Sequence, residues 1–143
     1  MKAAVLRSFD RPLAIEDIAI AEPRDREVMV RIMATDAVAR EGTDNTATFR
    51  ISRTGPTNSA LMVFYAIRGT ASNGVDYESI PDSVTIPAGR RSARIVIAPI
   101  NDNLPERIET VLLRLIEPPF GSPLPYYEIG RPARAGAIIL DND

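Results

Sequence analysis

The chain contains no cysteine, no histidine and no tryptophan, and its only lysine is Lys2. Thiolate and imidazole are the usual ligands of zinc, copper and iron and the usual nucleophiles and bases, so their absence removes most redox-metal and hydrolytic chemistry. Only metals satisfied by oxygen donors remain. No disulfide can form, which neither supports nor forbids a secreted life. There is no N-x-[ST] sequon, no P-loop and no GxGxxG loop. The serines and threonines have no histidine to activate them, and neighbours such as Glu16-Asp17 do not make a general acid and base by spacing alone. The expectation is a protein that is not an enzyme. Long apolar runs are missing too: Ala3-Ala4-Val5-Leu6 stops at Arg7, too short for a secretory leader or a membrane span, so the sequence carries no signal peptide and no membrane-inserting segment.

What is present is ordinary for one folded domain with a short appendage: 143 residues, 45% of them apolar, with a formal net charge of −2. Sixteen of the seventeen cationic residues are arginine, but the sequence pI of about 5.2 leaves no basic field to steer the chain onto nucleic acid. From Val28 onward the chain reads as short strands of alternating polarity between turn residues, the pattern of an antiparallel β-sandwich. Seven strands are predicted, near Val28–Ala34, Thr46–Ser52, Leu61–Ile67, Ser83–Ile86, Ser92–Ile97, Thr110–Ile116 and Ala135–Leu140. Their inward stripes are Val28, Val30 and Ile32; Ala47, Phe49 and Ile51; Leu61, Val63 and Tyr65; Ile95 and Ile97; and Val111, Leu113 and Leu115. Arg90, Arg91 and Arg94 read as a solvated edge strand.

Two regions fall outside this pattern. Pro118–Arg134 holds five of the twelve prolines with Phe120, Tyr126 and Tyr127, and is either a partner-binding loop or a cap whose aromatics cover one end of the sandwich. The first 27 residues read as an extra hairpin, Lys2–Leu6 and Leu13–Ala21 around Asp10-Arg11-Pro12. An isolated hairpin is marginal in water, so it must pack on the sandwich, pair with an edge or fray.

The residues also hint at a site. Ile138-Ile139-Leu140 runs into Asp141-Asn142-Asp143, and Asn101-Asp102-Asn103 follows a similar strand. Carboxylate and amide oxygens are the ligands Ca2+ takes, roughly six to eight of them at about 2.4 Å.

Residues 30–143 resemble the Calx-β family. The resemblance rests on Ala39-Arg40-Glu41-Gly42, on Phe49-Arg50-Ile51-Ser52-Arg53-Thr54-Gly55, and on Gly69-Thr70-Ala71-Ser72-Asn73-Gly74-Val75-Asp76-Tyr77. Val84-Thr85-Ile86-Pro87-Ala88-Gly89, Ile129-Gly130 and Asp141-Asn142-Asp143 complete it. It implies an immunoglobulin-like β-sandwich over residues 28–143, of the kind found in surface, adhesion and matrix proteins and in sodium/calcium exchangers, with Ca2+ bound at one end in many members. An extracellular or cell-surface location follows by the same resemblance. Carried over residue by residue, the metal ligands would be Glu41, Asp76, Asp102, Glu106, Asp141 and Asp143, with Glu109 and the Leu104 carbonyl as further candidates. Asn101, Asn103 and Asn142 stand where the richest sites of the family are acidic, which lowers the expected charge and calls for one or two ions bound at sub-millimolar rather than nanomolar affinity. The calcium would rigidify the loops at that end. Neighbouring domains or a protein partner are the other expected contacts, and a metal-free scaffold acting by protein contact is the alternative.

The first 32 or so residues, from Met1 to Ile32, resemble instead the start of a zinc-type alcohol dehydrogenase, a GroES-like segment. The catalytic-zinc cysteine and histidine of that family are missing, so dehydrogenase activity is excluded. Two resemblances meeting near Val28–Ala34 imply a fusion, with residues 1–27 as the borrowed hairpin.

Overall fold

The computed structural model describes residues 28–143. In these residues every element is a strand: β1 (Met29–Asp36), β2 (Val38–Arg40), β3 (Ala47–Thr54), β4 (Leu61–Arg68), β5 (Ser83–Ile86), β6 (Ser92–Ile97), β7 (Glu109–Leu115), β8 (Glu128–Ile129) and β9 (Arg134–Leu140). They form a four-stranded sheet of order β6-β3-β1-β8 and a five-stranded sheet of order β2-β9-β7-β4-β5. No helix crosses a membrane among the described residues.

The core follows from alternation. Every residue predicted to face inward is buried, and Tyr77, Ile86, Ala137 and Ile139 join them between the sheets. Because side chains alternate at period two, a one-residue slip would turn each of these stripes to water, so burial fixes the register. β3, for example, pairs Phe49 with Ala34 on one side and Ile95 on the other.

Seven of the nine strands are the predicted ones, and the two additional ones are the shortest. β8 spans two residues and pairs in parallel with β1 at Met29 and Val30. β2 arises where the pairing of β1 shifts register between Ala34 and Asp36: the chain then crosses to the other sheet and runs parallel to β9, Val38 beside Ile138, Ala39 beside Ile139 and Arg40 beside Leu140. Three residues with one buried side chain, Ala39, show no periodicity from which to predict a strand.

The aromatics of Pro118–Arg134 divide between core and solvent. Tyr127 is buried, accepts a hydrogen bond from Phe64 N–H at 2.9 Å and donates one to the Ile116 carbonyl at 2.8 Å, so it caps the core. Phe120 is fully exposed, and Leu124 and Tyr126 lie largely in solvent. Arg94 is exposed on β6, an edge strand. The hairpin and the dehydrogenase-like stretch up to residue 27 lie outside the described residues.

Candidate metal centre

One end of the sandwich collects the loops that carry the acidic residues. β3 begins there at Ala47, opposite Ile97 where β6 ends, while Glu109 opens β7 opposite Ile139 near the end of β9. The β2–β3 loop, the β4–β5 connection, the β6–β7 loop and the residues after β9 therefore converge, although they span more than a hundred positions of sequence.

Glu41 and Asp141 are brought together by the β2–β9 pairing. That parallel register continues one step past Arg40, with Glu41 N–H donating to the Leu140 carbonyl at 2.9 Å, so the next residues along each strand are neighbours. Gly42 makes the turn that follows, at φ +70°. A Cβ there would collide with the Asn142 amide and come within 3.2 Å of Asn101 Oδ1, so only glycine lets the loop lie this close. Glu41 is 4% exposed, and one of its oxygens, Oε1, has no hydrogen-bond partner. Asp141 Oδ1 is likewise buried and unpartnered. Its other oxygen, Oδ2, accepts the backbone N–H of Glu106 at 2.9 Å.

A second grouping lies beside the first. Asp76, Glu106 and Glu109 each offer a carboxylate oxygen within 4.8 Å of the others, the span of two metal–oxygen bonds of about 2.4 Å. Asp76 is set by a tight turn, in which its N–H donates to the Ser72 carbonyl at 2.9 Å and its Oδ2 accepts the Ser72 N–H. The Ile100 N–H bonds the Asp76 carbonyl at 2.9 Å and ties this turn to the β6–β7 loop.

The electrostatics follow from burial and crowding. Burial first, then the adjacent Asp141 carboxylate and the charges of Asp102 and Glu106, push the Glu41 carboxyl from 4.5 up to about 7. Glu109 is pushed up to about 8, by burial first and then by Glu106 and Asp76. Asp141 moves the other way, because the N–H groups of Glu106, Asp143 and Asn142 and the Glu41 carboxyl all stabilise its charge. Glu106 acts on both Glu41 and Glu109 and so links the two groupings. Without a cation, protons must supply the missing positive charge.

Of the sequence-predicted ligands, Glu41, Asp76, Asp102, Glu106 and Asp141 all belong to this network. Asp102 acts on Glu41 by charge while its Oδ1 accepts Leu104 N–H at 2.7 Å; Leu104 itself is exposed in the same loop. Asp143 is exposed, and what it brings to the network is the favourable field of its backbone N–H, which helps hold the Asp141 carboxyl low. Glu109, only a further candidate by sequence, is one of the three convergent carboxylates. The unpaired oxygen of Glu41 depends on burial, for which the sequence offers no signal beyond the glycine that follows. An all-oxygen, anionic donor set with two buried unpartnered oxygens fits a hard divalent cation and suits no softer metal.

A search of curated proteins finds no significant match. Among solved structures the chain is similar to the apo-form Calx CBD1 domain, at 26% identity and a TM-score of 0.59, over 80% of this chain and 98% of that one. It is similar also to CBD12 from CALX1.2, at 27% identity and 0.59, and to the calcium binding domain CBD12 of CALX1.1, at 28% and 0.57. Those matches cover 79% of this chain in each case, and 44% and 45% of the other chains. The profile of the Calx-beta domain matches residues 23–143, most of the chain and every described strand, and the chain belongs to the Calx-beta domain family.

Proposed function

We propose that this chain is a non-enzymatic calcium-binding module, in which Ca2+ rigidifies the loops at one end of the sandwich. The observation that carries the reading is the pair of buried, unpartnered carboxylate oxygens, Glu41 Oε1 and Asp141 Oδ1, beside three further carboxylates that already converge to ligand distance. Ionised carboxylates this close repel: a pair at about 4 Å costs about 1 to 4 kcal/mol for effective dielectrics between water and protein surface. Glu41, Asp102, Glu106 and Asp141 would hold one ion and Asp76, Glu106 and Glu109 a second, with Glu106 shared. Bound calcium would supply charge neutralisation and cross-link four segments of chain that are otherwise joined there by a few hydrogen bonds.

The asparagines in the cluster keep its charge below that of an all-acidic site, which suits the weaker calcium affinities of extracellular modules. An extracellular structural or adhesion role accords with that affinity range, and the residues ahead of the family match would be a segment fused to the module. The exposed Phe120, Leu124 and Tyr126 favour a second reading, in which the sandwich also works by protein contact through its proline-rich loop.

Thermal unfolding with Ca2+ and with EGTA tests the first reading, followed by the same measurement on Asp76→Ala and Asp141→Ala. At a hundredfold excess over Kd, calcium should add about 2.7 kcal/mol per bound ion to the stability of the unmutated protein, and each variant should lose most of the part due to the ion its residue would hold. An unchanged midpoint in the unmutated protein refutes the reading.

A further inference from the structure

The arginines are as unevenly placed as the carboxylates. β4, β7 and β9 are neighbours in the five-stranded sheet, and their register sets Arg114 directly opposite Arg134, with Leu112 opposite both Arg68 and Gly136. Val111, Leu113 and Leu115 fill the inward face of β7, so Leu112 and Arg114 stand on the outward one. Like charges directly opposite each other weaken a sheet, and a guanidinium keeps its charge at any physiological pH. Arg114 and Arg134 facing each other, with Arg68 one position away, thus concentrate positive charge at a cost to the fold.

Two contiguous grooves open on this face, of about 580 and 390 Å³, and Arg114 and Arg134 line both. Arg131 borders the larger and Arg68 the smaller, and no carboxylate is among the lining residues of either. The smaller has an apolar floor. Leu112 is 46% exposed there, and at Gly136 a Cβ would stand 2.7 Å from Leu112 Cδ2, so glycine keeps the floor open.

We propose that this face docks an extended acidic peptide segment of a partner protein, with Arg68, Arg114, Arg131 and Arg134 holding its carboxylates and Leu112 and Gly136 receiving an apolar side chain between them. Charge complementarity selects an anionic partner, and the guanidinium fork matches the carboxylate in particular. The apolar floor selects a peptide over a sulfated sugar or a lipid headgroup, which would leave it unused. Arg114 lies five positions along β7 from Glu109, about 17 Å of strand, so the face shares no residue with the metal centre.

Fluorescence anisotropy of a labelled acidic pentapeptide with a central leucine, titrated with the full chain in calcium-containing buffer, tests the proposal. Saturable binding is expected, weakening steeply with salt. The double variant Arg114→Gln/Arg134→Gln should weaken it roughly tenfold or more, whereas Arg50→Gln, an exposed arginine of the other sheet, should leave it unchanged. Replacing the central leucine of the peptide by serine should weaken binding roughly threefold or more. The double variant should melt no lower than the unmutated chain, because it removes a repulsion; Arg114→Lys, which keeps the charge and loses the fork, should bind with intermediate affinity. No saturable binding would overturn the proposal. So would an equal loss in Arg50→Gln, which would mean bulk charge alone, or tighter binding of heparin or phosphatidylserine vesicles than of the peptide.

Discussion

Replacing Glu41 by Gln keeps the shape of the side chain and removes its charge, and the structure gives that change opposite signs with and without calcium. In the calcium-free protein, burial and the neighbouring acids raise the Glu41 carboxyl from 4.5 to about 7. A carboxyl whose folded-state pKa is raised stabilises the native state fully below its unfolded value and loses that contribution as pH rises through the folded one. Stability in EGTA should therefore fall between about pH 4.5 and pH 8, with Glu109, raised from 4.5 to about 8, steepening the fall throughout and extending it beyond the folded value of Glu41. At roughly 1.4 kcal/mol per pH unit the ceiling for Glu41 is about 3 kcal/mol. Solvent and salt at the mouth of the site reduce it to about 1 to 2 kcal/mol. Glu41→Gln should remove that part of the slope and make the calcium-free protein about 1 to 2 kcal/mol more stable than the unmutated chain at pH 8. In saturating Ca2+ the order reverses, because the ionised carboxylate is then the ligand, and the variant should lose most of the gain due to the ion that Glu41 would hold. Urea titrations at pH 5 and pH 8, each with EGTA and with Ca2+, measure all four values. A calcium-free stability that is flat from pH 5 to pH 8, or a variant less stable than the unmutated chain in EGTA at pH 8, would refute the reasoning.

The two aspartates at the end of β9 should behave differently: Asp141→Asn should sharply weaken calcium affinity by titration calorimetry, whereas Asp143→Asn should change it little, since Asp143 contributes its backbone N–H. At the opposite end of the sandwich, buried Arg53 donates to the carbonyls of Arg90, Ser59, Thr57 and Pro87 and so joins the loops after β3 and β5. Arg53→Met should cost about 2 to 4 kcal/mol in urea unfolding, with and without calcium alike, because it strips the partners from those carbonyls. Tyr127→Phe leaves the Phe64 N–H and the Ile116 carbonyl without their shared hydroxyl and should cost about 1 to 3 kcal/mol by the same assay. An unchanged midpoint in either variant would contradict the role given to that side chain.

The sandwich was legible because most of its information is periodic. Phe49, Ile51, Val63, Tyr65, Val111 and Leu113 recur at period two between turn residues, and a half-buried sheet leaves no other place for them. The metal centre was legible in its chemistry and only partly in its membership. Oxygen ligands in the absence of cysteine and histidine indicate a hard cation, but the nearness of Glu41 to Asp141 depends on β2, a strand too short to carry a pattern. The place of Glu109 is hidden from the sequence for a related reason. It is the first residue of β7, where alternation assigns a side chain to one face or the other, and only the position of the Asp76 turn decides that it faces two carboxylates. The net charge of −2 concealed the most consequential feature, the separation of charge along the molecule. Seven acids of residues 28–143 (Glu41, Asp76, Asp102, Glu106, Glu109, Asp141 and Asp143) lie at one end. Asp44, Glu78, Arg40 and Arg107 belong to the same converging segments, and the other ten arginines of the span outnumber its remaining four acids (Asp36, Asp82, Glu117 and Glu128). Ions bound at the acidic end would neutralise it and leave the arginine-bearing faces to dominate the long-range field, so calcium occupancy would strengthen the attraction of the β4–β7–β9 face for an acidic partner without any movement of the strands between them. Measured at low salt, peptide affinity should rise on adding Ca2+, and the rise should vanish at about 1 M salt, where the screening length is about 3 Å.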